Sequence, residues 1–177
     1  MANDFALDVA RIRDQARQHM GDGPVTGTYG ADRARVVDVL NDVVATEIVC
    51  WLRYTRHAIS ASGTGRGPVA SEFKEHADEE LQHALRAADR VNQLGGEPDL
   101  DPATLARRAH TSYVTTEGTD LHRMLEENLA AERIVISAYQ EIIRWLGAGD
   151  PTTRRLLESI LEQEEEHADD LVELLGR

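Results

Sequence analysis

Apolar residues recur at intervals of three and four along most of the chain, which is the period of one face of an α-helix. The pattern predicts a short helix over about 4–20 and four long helices over about 32–61, 68–94, 120–146 and 151–176. Glycine or proline stands near most of these ends, as is typical of helix termini. We therefore expect an all-α fold.

The segments that join the long helices differ in length. The first and second long helices, like the third and fourth, are joined by a few residues, which favours two antiparallel hairpins. The 25 residues 95–119 join the hairpins. Fully extended they reach roughly 80 Å, whereas a helix of 28 residues is about 42 Å long. We expect this crossover to run the length of a four-helix bundle and to carry a short helix at 101–110.

The domain organisation follows from the length and from one glycine-rich stretch. A chain of 177 residues has the size of a single domain. Residues 21–30 contain too many glycines for a regular element. We expect an N-terminal helix and Gly-rich segment over 1–30, followed by the four-helix bundle over 31–177.

The composition excludes several classes of function. The 32 acidic and 19 basic residues give a net charge of −13, so no nucleic-acid partner is expected, because binding phosphates needs surplus positive charge. No apolar run approaches the ~20 residues of a membrane span, and no signal peptide is evident, so we expect a cytoplasmic protein without a membrane partner. The single Cys50 can form neither an internal disulfide nor a thiolate cluster.

The two predicted hairpins repeat each other in sequence. Residues 40–54 align with residues 125–139, and this alignment superimposes one glutamate on another. Each of these glutamates is followed, 32 or 33 residues later, by a Glu-x-x-His motif. The repeated polar residues are Glu47, Glu80 and His83 in the first half, and Glu132, Glu164 and His167 in the second half.

The four repeated glutamates fall in the apolar phase of their helices. Charged residues are seldom fully buried unless they are paired or bound to something. In each hairpin both glutamates lie roughly 20 Å from the connecting loop, so all four are expected near the middle of the bundle. Each histidine follows its glutamate by three residues and therefore lies on the same face, one turn along.

This set of side chains indicates a metal site. Four carboxylates and two imidazoles, with no cation among the expected inward positions, need protons or metal ions to neutralise them. Two divalent ions supply the missing charge. An oxygen-rich set with one histidine per metal suits iron or manganese better than structural zinc.

At these residues the chain resembles bacterioferritin. The segments LNDVVATEIVCWLRYTRHA and DEELQHA resemble its first two bundle helices, and LAAERIVI and EQEEEHADDLVELL resemble the last two. The resemblance covers about 35–175 and implies a ferritin-like bundle with an intrasubunit ferroxidase centre. The resemblance further implies that two iron ions per subunit, rather than manganese, are oxidised there by O₂ or H₂O₂, and that Fe(III) mineral forms in a hollow shell. By this resemblance Glu47 and Glu132 are expected to be terminal ligands, and Glu80 and Glu164 to bridge the two metals. Each histidine is expected to bind one metal.

Three features differ from bacterioferritin. Leu81 stands where that family has its haem-ligating methionine, so no haem is expected. The sequence predicts no fifth helix of the kind usual in 24-subunit cages. The long crossover and the N-terminal segment are more similar to Dps-like mini-ferritins. The resemblance therefore implies a bacterioferritin-type site in a Dps-like homododecamer, although the cysteine pair of some members of that subgroup is missing.

Other readings of the pattern stay open. A di-iron or di-manganese redox enzyme of the peroxidase or catalase kind, without iron storage, has the same ligands, and a metal-free scaffold has none. Tyr54 and Tyr139 are either donors to the ligands, redox-active groups or packed core residues. His76 could guide metal ions to the centre, but a position on the surface is expected.

Overall fold

The computed structural model of the protein describes residues 6–61, 66–114, 116 and 120–176. Six α-helices and one short 3₁₀ turn, Met20–Asp22, account for the regular structure of this part of the chain, which contains no strand. The helices are α1 Val9–Gln18, α2 Arg33–Ser60, α3 Gly67–Gln93, α4 Leu105–Arg108, α5 Leu121–Leu146 and α6 Pro151–Leu174.

Three of the long helices begin in the same way. The residue before α2, α5 and α6 is an aspartate whose carboxylate accepts a hydrogen bond from the backbone N–H three residues on, which satisfies one of the free donors of the first turn. After α3 the chain turns at Gly95, whose φ of 75° is one that side chains with a Cβ rarely adopt. The all-α prediction and the positions of the four long helices are therefore confirmed.

The long helices pack as two hairpins, α2 with α3 and α5 with α6. Their buried apolar residues form two clusters, one around Leu40, Val91 and Ile160, the other around Phe73, Met124 and Leu171. Along α3, α5 and α6 the members of the two clusters are separated by short buried stretches that contain polar residues. The fold is the predicted four-helix bundle, and its core is interrupted in the middle by polar side chains.

The crossover between the hairpins carries the predicted short helix, although α4 is only four residues long. It packs against α2. Arg108 donates a hydrogen bond of 2.6 Å to the carbonyl of Asn41, and the backbone N–H of His110 donates one of 2.9 Å to the hydroxyl of Thr46. This cover explains why α2 is buried on all sides over 43–50.

Within the described residues, the N-terminal segment contacts the bundle through residues such as Val25, Tyr29 and Gly30. Tyr29 donates a hydrogen bond to the buried carboxylate of Asp150, and the N–H of Gly30 donates one to the carbonyl of Gly149. No residue of α1 is buried by the described part of the chain. The sequence predicted a longer first helix, and its first two positions, 4 and 5, lie outside the described residues.

None of the helices within the described ranges has the length and apolar character needed to cross a bilayer.

Candidate metal centre

The six repeated polar residues lie together in the middle of the bundle. Each is at most 2% exposed. Helices α3 and α6 each supply one glutamate and one histidine, and α2 and α5 each supply one glutamate. Burial at this level is exceptional for carboxylates, and it follows from the apolar phase that they occupy.

The ligand atoms divide into two overlapping groups, within each of which all atoms lie within 4.8 Å of one another. Glu80 and Glu164 belong to both groups, whereas each of the other four residues belongs to one. The first group is Glu47, Glu80, His83 and Glu164, and the second is Glu80, Glu132, Glu164 and His167. Each group could hold a metal ion, and the carboxylates of Glu80 and Glu164 are placed to contribute to both groups.

Both histidines present Nδ1 to the centre. The Nδ1 atom of His83 lies 2.9 Å from Glu164 Oε1 and 3.5 Å from Glu47 Oε2. The Nδ1 atom of His167 lies 3.5 Å from Glu164 Oε2 and 3.6 Å from Glu80 Oε1. The two imidazoles therefore approach the shared carboxylate of Glu164 from its two oxygens.

The outer nitrogens of the two histidines are also held. His83 Nε2 lies 3.0 Å from Gln163 Oε1, and His167 Nε2 lies 2.7 Å from Glu79 Oε2. An Nε2–H that donates to an oxygen leaves the Nδ1 lone pair free for a metal. Glu79 and Gln163 were not among the residues predicted from the sequence. The repeat offered a signal for both, because Glu79 directly precedes Glu80 and Gln163 directly precedes Glu164. Each of the two contacts the histidine of the other half of the repeat.

Two buried tyrosines hold the terminal glutamates. Tyr54 donates a hydrogen bond to Glu132 Oε1, and Tyr139 donates one to Glu47 Oε1. Both tyrosines are fully buried. Of the readings left open for them, donation to the ligands is the one that the geometry matches. In each of these glutamates Oε1 accepts the hydrogen bond of the tyrosine, and Oε2 remains available to the centre.

The atoms that face the centre have no hydrogen-bond partner of normal geometry among the described residues. Leaving a buried polar atom unpartnered costs about 1–3 kcal/mol, and more for charged groups. Oxygen and imidazole atoms clustered in this way fit divalent first-row ions. The unpartnered atoms are both oxygens of Glu80 and of Glu164, Oε2 of Glu47 and of Glu132, and Nδ1 of His83 and of His167.

Without metal, protons must compensate the buried charge. Burial raises the pKa of Glu80 well above its usual range and that of Glu132 to about 8, in both cases helped by the charge of Glu164. Burial alone would lower the pKa of His83, but the nearby carboxylates of Glu164 and Glu47 raise it to about 10. The pKa of His167 is likewise raised, to about 9. Protons at neutral pH therefore occupy positions that metal ions would take.

Arg53 corrects one expectation, namely that no cation points inward. Its side chain is 1% exposed, and Nε donates a hydrogen bond of 2.9 Å to Asn128 Oδ1. Its charge lies near enough to Glu132 to favour the ionised carboxylate. A buried arginine is rare, and its position six residues after Glu47 carries no recognisable signal in a single sequence.

His76 corrects a second expectation, since it is 1% exposed rather than on the surface. Its ring stacks on the ring of His167 with 4.1 Å between centroids. Burial and the neighbouring His167 lower the pKa of His76 to about 4, so this imidazole is neutral at pH 7.

Comparisons with known proteins agree with this geometry. Residues 37–177 match the model of the ferritin-like domain family. The bacterioferritin of Desulfovibrio desulfuricans is 29% identical over 136 residues, 76% of this chain and 71% of that protein. A nutrient stress-induced DNA-binding protein of a Synechococcus species is 28% identical over 145 residues, 81% of this chain and 82% of that protein.

A solved structure shares both fold and sequence with the chain. It is the bacterioferritin-related protein of Bacteroides fragilis, which is described as a dodecameric thioferritin. The two structures superimpose with a TM-score of 0.79 at 35% identity, over 83% of this chain and 88% of the other.

Proposed function

The chain belongs to the ferritin-like domain family, and on this basis we propose that it is a ferroxidase and iron-storage protein. Its substrates are Fe(II) and either O₂ or H₂O₂, and its product is Fe(III) mineral inside a hollow homo-oligomeric shell. The observation that carries the proposal is the buried centre, in which six side chains aim unpartnered oxygen and nitrogen atoms at two overlapping positions.

Each subunit would hold two iron ions, in preference to manganese. The group with Glu47 and His83 would hold one ion and the group with Glu132 and His167 the other, while Glu80 and Glu164, which belong to both groups, would contribute to both. The bound pair supplies two electrons to the oxidant. The four ionised carboxylates would carry four negative charges, which balance two ferrous ions, so the ions would take over the compensation that protons provide in the metal-free centre.

The surrounding residues prepare the ligands for this task. Tyr54 and Tyr139 fix the terminal carboxylates, and Glu79 and Gln163 fix the imidazole tautomers. Because both tyrosines are fully buried, the carboxylates that they hold are positioned before an ion arrives. Loading then requires that the protons on the centre leave.

The cage is proposed to be a homododecamer. The relative from Bacteroides fragilis is described as dodecameric. In this chain, Leu7, Val9 and Ile12 lie exposed on and before α1, where a neighbouring subunit could cover them. The net charge of −13 would attract iron to pores and to an inner surface.

Several narrower predictions accompany this proposal. Haem is not expected, because Leu81 offers no ligand atom next to Glu80. Nucleic-acid binding is not expected from the acidic composition, although one relative is named a DNA-binding protein. We also propose a cytoplasmic location, and a division of the chain into an N-terminal segment, 1–30, and a bundle domain, 31–177.

The decisive experiment is the aerobic addition of Fe(II) to the purified protein, with Fe(III) formation followed by absorbance. We expect oxidation to be much faster with the protein than without it. Glu80→Ala removes a bridging ligand and should return the rate to that of the protein-free solution. Glu166→Ala removes an exposed carboxylate of the same acidic segment and should behave as the wild type. A wild-type rate equal to that of buffer would refute the proposal.

The particle mass, measured with its metal content, separates storage from the alternative enzyme. A hollow dodecamer that retains many iron ions per subunit supports storage. A monomer or dimer that retains two metal ions and consumes peroxide supports the redox enzyme without a storage role.

A further inference from the structure

A second cluster of potential ligands lies beside the metal centre, between α3 and α6. His76 Nε2 is 3.4 Å from Glu72 Oε1 and 3.4 Å from Asp170 Oδ2. Glu72 and His76 are one turn apart on α3, and Asp170 comes from α6. One ligand atom of each residue lies within 4.8 Å of the others, and none of the three belongs to the buried centre.

The histidine of this cluster is the unusual member. Its side chain is only 2% exposed, and neither ring nitrogen has a hydrogen bond of normal geometry with any described residue. A buried imidazole normally finds a partner for at least one nitrogen, because an unpartnered polar atom is costly. Here Nε2 instead lies 3.4 Å from an oxygen of each of two carboxylates without a well-formed hydrogen bond to either, which is an arrangement that a cation would complete.

The two carboxylates face outward from this histidine. The side chains of Glu72 and Asp170 are 33% and 41% exposed, so solvent reaches them, whereas His76 forms the floor of the cluster. One nitrogen and two carboxylate oxygens with open positions for water suit a divalent first-row ion, and a half-open site also allows such an ion to leave.

The cluster is in direct contact with the buried centre. The ring of His76 stacks on the ring of His167, which belongs to the second ligand group, at a tilt of 20°. The ring of His76 also lies perpendicular to the ring of Tyr54, 5.2 Å away between centroids, and Tyr54 holds Glu132. The cluster thus lies between solvent and the second metal position.

We propose that Glu72, His76 and Asp170 form a third divalent-cation site, which receives ions from solvent before they pass to the buried pair. The existence of this site does not depend on the proposed ferroxidase function, whereas its role in delivery rests on that function.

The site is tested by counting bound Co(II) ions per subunit under anaerobic conditions. Glu72→Gln and Asp170→Asn keep the size of each side chain and remove its charge. Each variant should bind one ion fewer than the wild type. Asp169→Asn, an exposed neighbour on α6, should bind as many ions as the wild type. Circular dichroism before and after heating identifies any variant that fails to fold. Equal ion counts in the wild type and in both site variants would overturn the proposal.

Counting bound Co(II) ions in the Glu80→Ala variant distinguishes a failure of the third site from a failure of the proposed ferroxidase function. Adding Asp170→Asn should again remove one ion, whether or not the buried pair still binds metal. If Glu80→Ala and wild type oxidise iron equally slowly but Asp170→Asn still removes an ion, the ferroxidase proposal fails and the third site stands. If oxidation is fast and Asp170→Asn removes no ion, the third site fails alone.

The delivery role has its own readout. When metal-free protein is mixed rapidly with limiting Co(II), the Asp170→Asn variant should fill the buried pair more slowly than the Asp169→Asn control. Filling at equal rates would overturn delivery through this cluster.

Discussion

Tyr54 on α2 donates a hydrogen bond to Glu132 on α5, and Tyr139 on α5 donates one to Glu47 on α2. Each tyrosine lies two turns from the glutamate of its own helix but binds the glutamate of the other. This exchange requires α2 and α5 to run in opposite directions past each other. The internal repeat of the sequence is therefore also a repeat of the hydrogen bonds that surround the centre.

Removing either tyrosine hydroxyl should weaken metal binding. Tyr54→Phe and Tyr139→Phe keep the packed ring but free a terminal carboxylate to rotate. Loss of such a supporting partner typically costs about 10- to 100-fold in metal affinity. Anaerobic Co(II) titration measures the change, with Tyr113→Phe, an exposed tyrosine, as the control. Unchanged affinity in both buried variants would show that the hydroxyls do not position the ligands.

Each outer partner of a histidine should affect one metal position more than the other. Glu79→Ala removes the partner of His167, and Gln163→Ala removes the partner of His83. Stepwise titration should therefore show one weakened ion of the pair in each variant, by about 10- to 100-fold. Glu165→Ala, exposed on α6, is the matched control. If each variant weakens both ions equally, the two positions are not held independently.

Metal binding should release protons and should strengthen as the pH rises from 6 to 8. In the metal-free centre the pKa of Glu132 is about 8 and that of His167 about 9, so both groups carry protons at neutral pH. An ion must displace these protons to bind. Calorimetry in buffers of different ionisation enthalpy counts the protons released, and a buffer-independent heat would contradict the expectation.

The metal-free protein should lose stability as the pH rises from 6 to 9. Glutamate and histidine have pKa values of about 4.3 and 6.5 in unfolded chains, whereas Glu132 and His83 have values of about 8 and 10 in the fold. The folded chain therefore keeps protons that the unfolded chain has lost, and rising pH favours unfolding. Each kcal/mol lost lowers Tm by about 2–4 °C.

Thermal unfolding of chelator-treated protein across this pH range measures the effect, and added Co(II) should restore Tm at pH 9. A Glu132→Gln variant should show a flatter profile because one of the responsible groups no longer titrates. A flat profile in the metal-free wild type would contradict the assignment of protons to the centre.

Asp150→Ala should be much more destabilising than loss of a helix cap alone. This carboxylate is 1% exposed and caps the first turn of α6. It also lies 3.0 Å from the guanidinium of Arg90 and accepts a hydrogen bond from the hydroxyl of Tyr29. Removing one member of a buried ion pair costs about 3–5 kcal/mol. Asp120→Ala, the exposed cap of α5, should cost about 0.5–2 kcal/mol. Urea unfolding compares the two, and equal losses would contradict the role of the ion pair.

The sequence alone was sufficient for the helices and for the residues that meet in the centre. The apolar period sets which face of each helix is buried, and four glutamates lie in that phase at equal heights. The Glu-x-x-His spacing then places each histidine beside its glutamate on the same face. These relations hold within one helix or follow from the repeat, so they can be read without knowing how the helices pack.

Only the tertiary structure decided which atoms of these residues face the centre and which side chains surround them. The pairing of His167 with Glu79, the burial of Arg53 and the stacking of His76 all depend on contacts between different helices. The period of one helix specifies a buried face but not the side chain that meets it from another helix, because that depends on the rotation and offset between the two. For this reason the sequence predicted which six residues meet in the centre, whereas the hydrogen bonds that hold them and the cluster around His76 emerged from the packing.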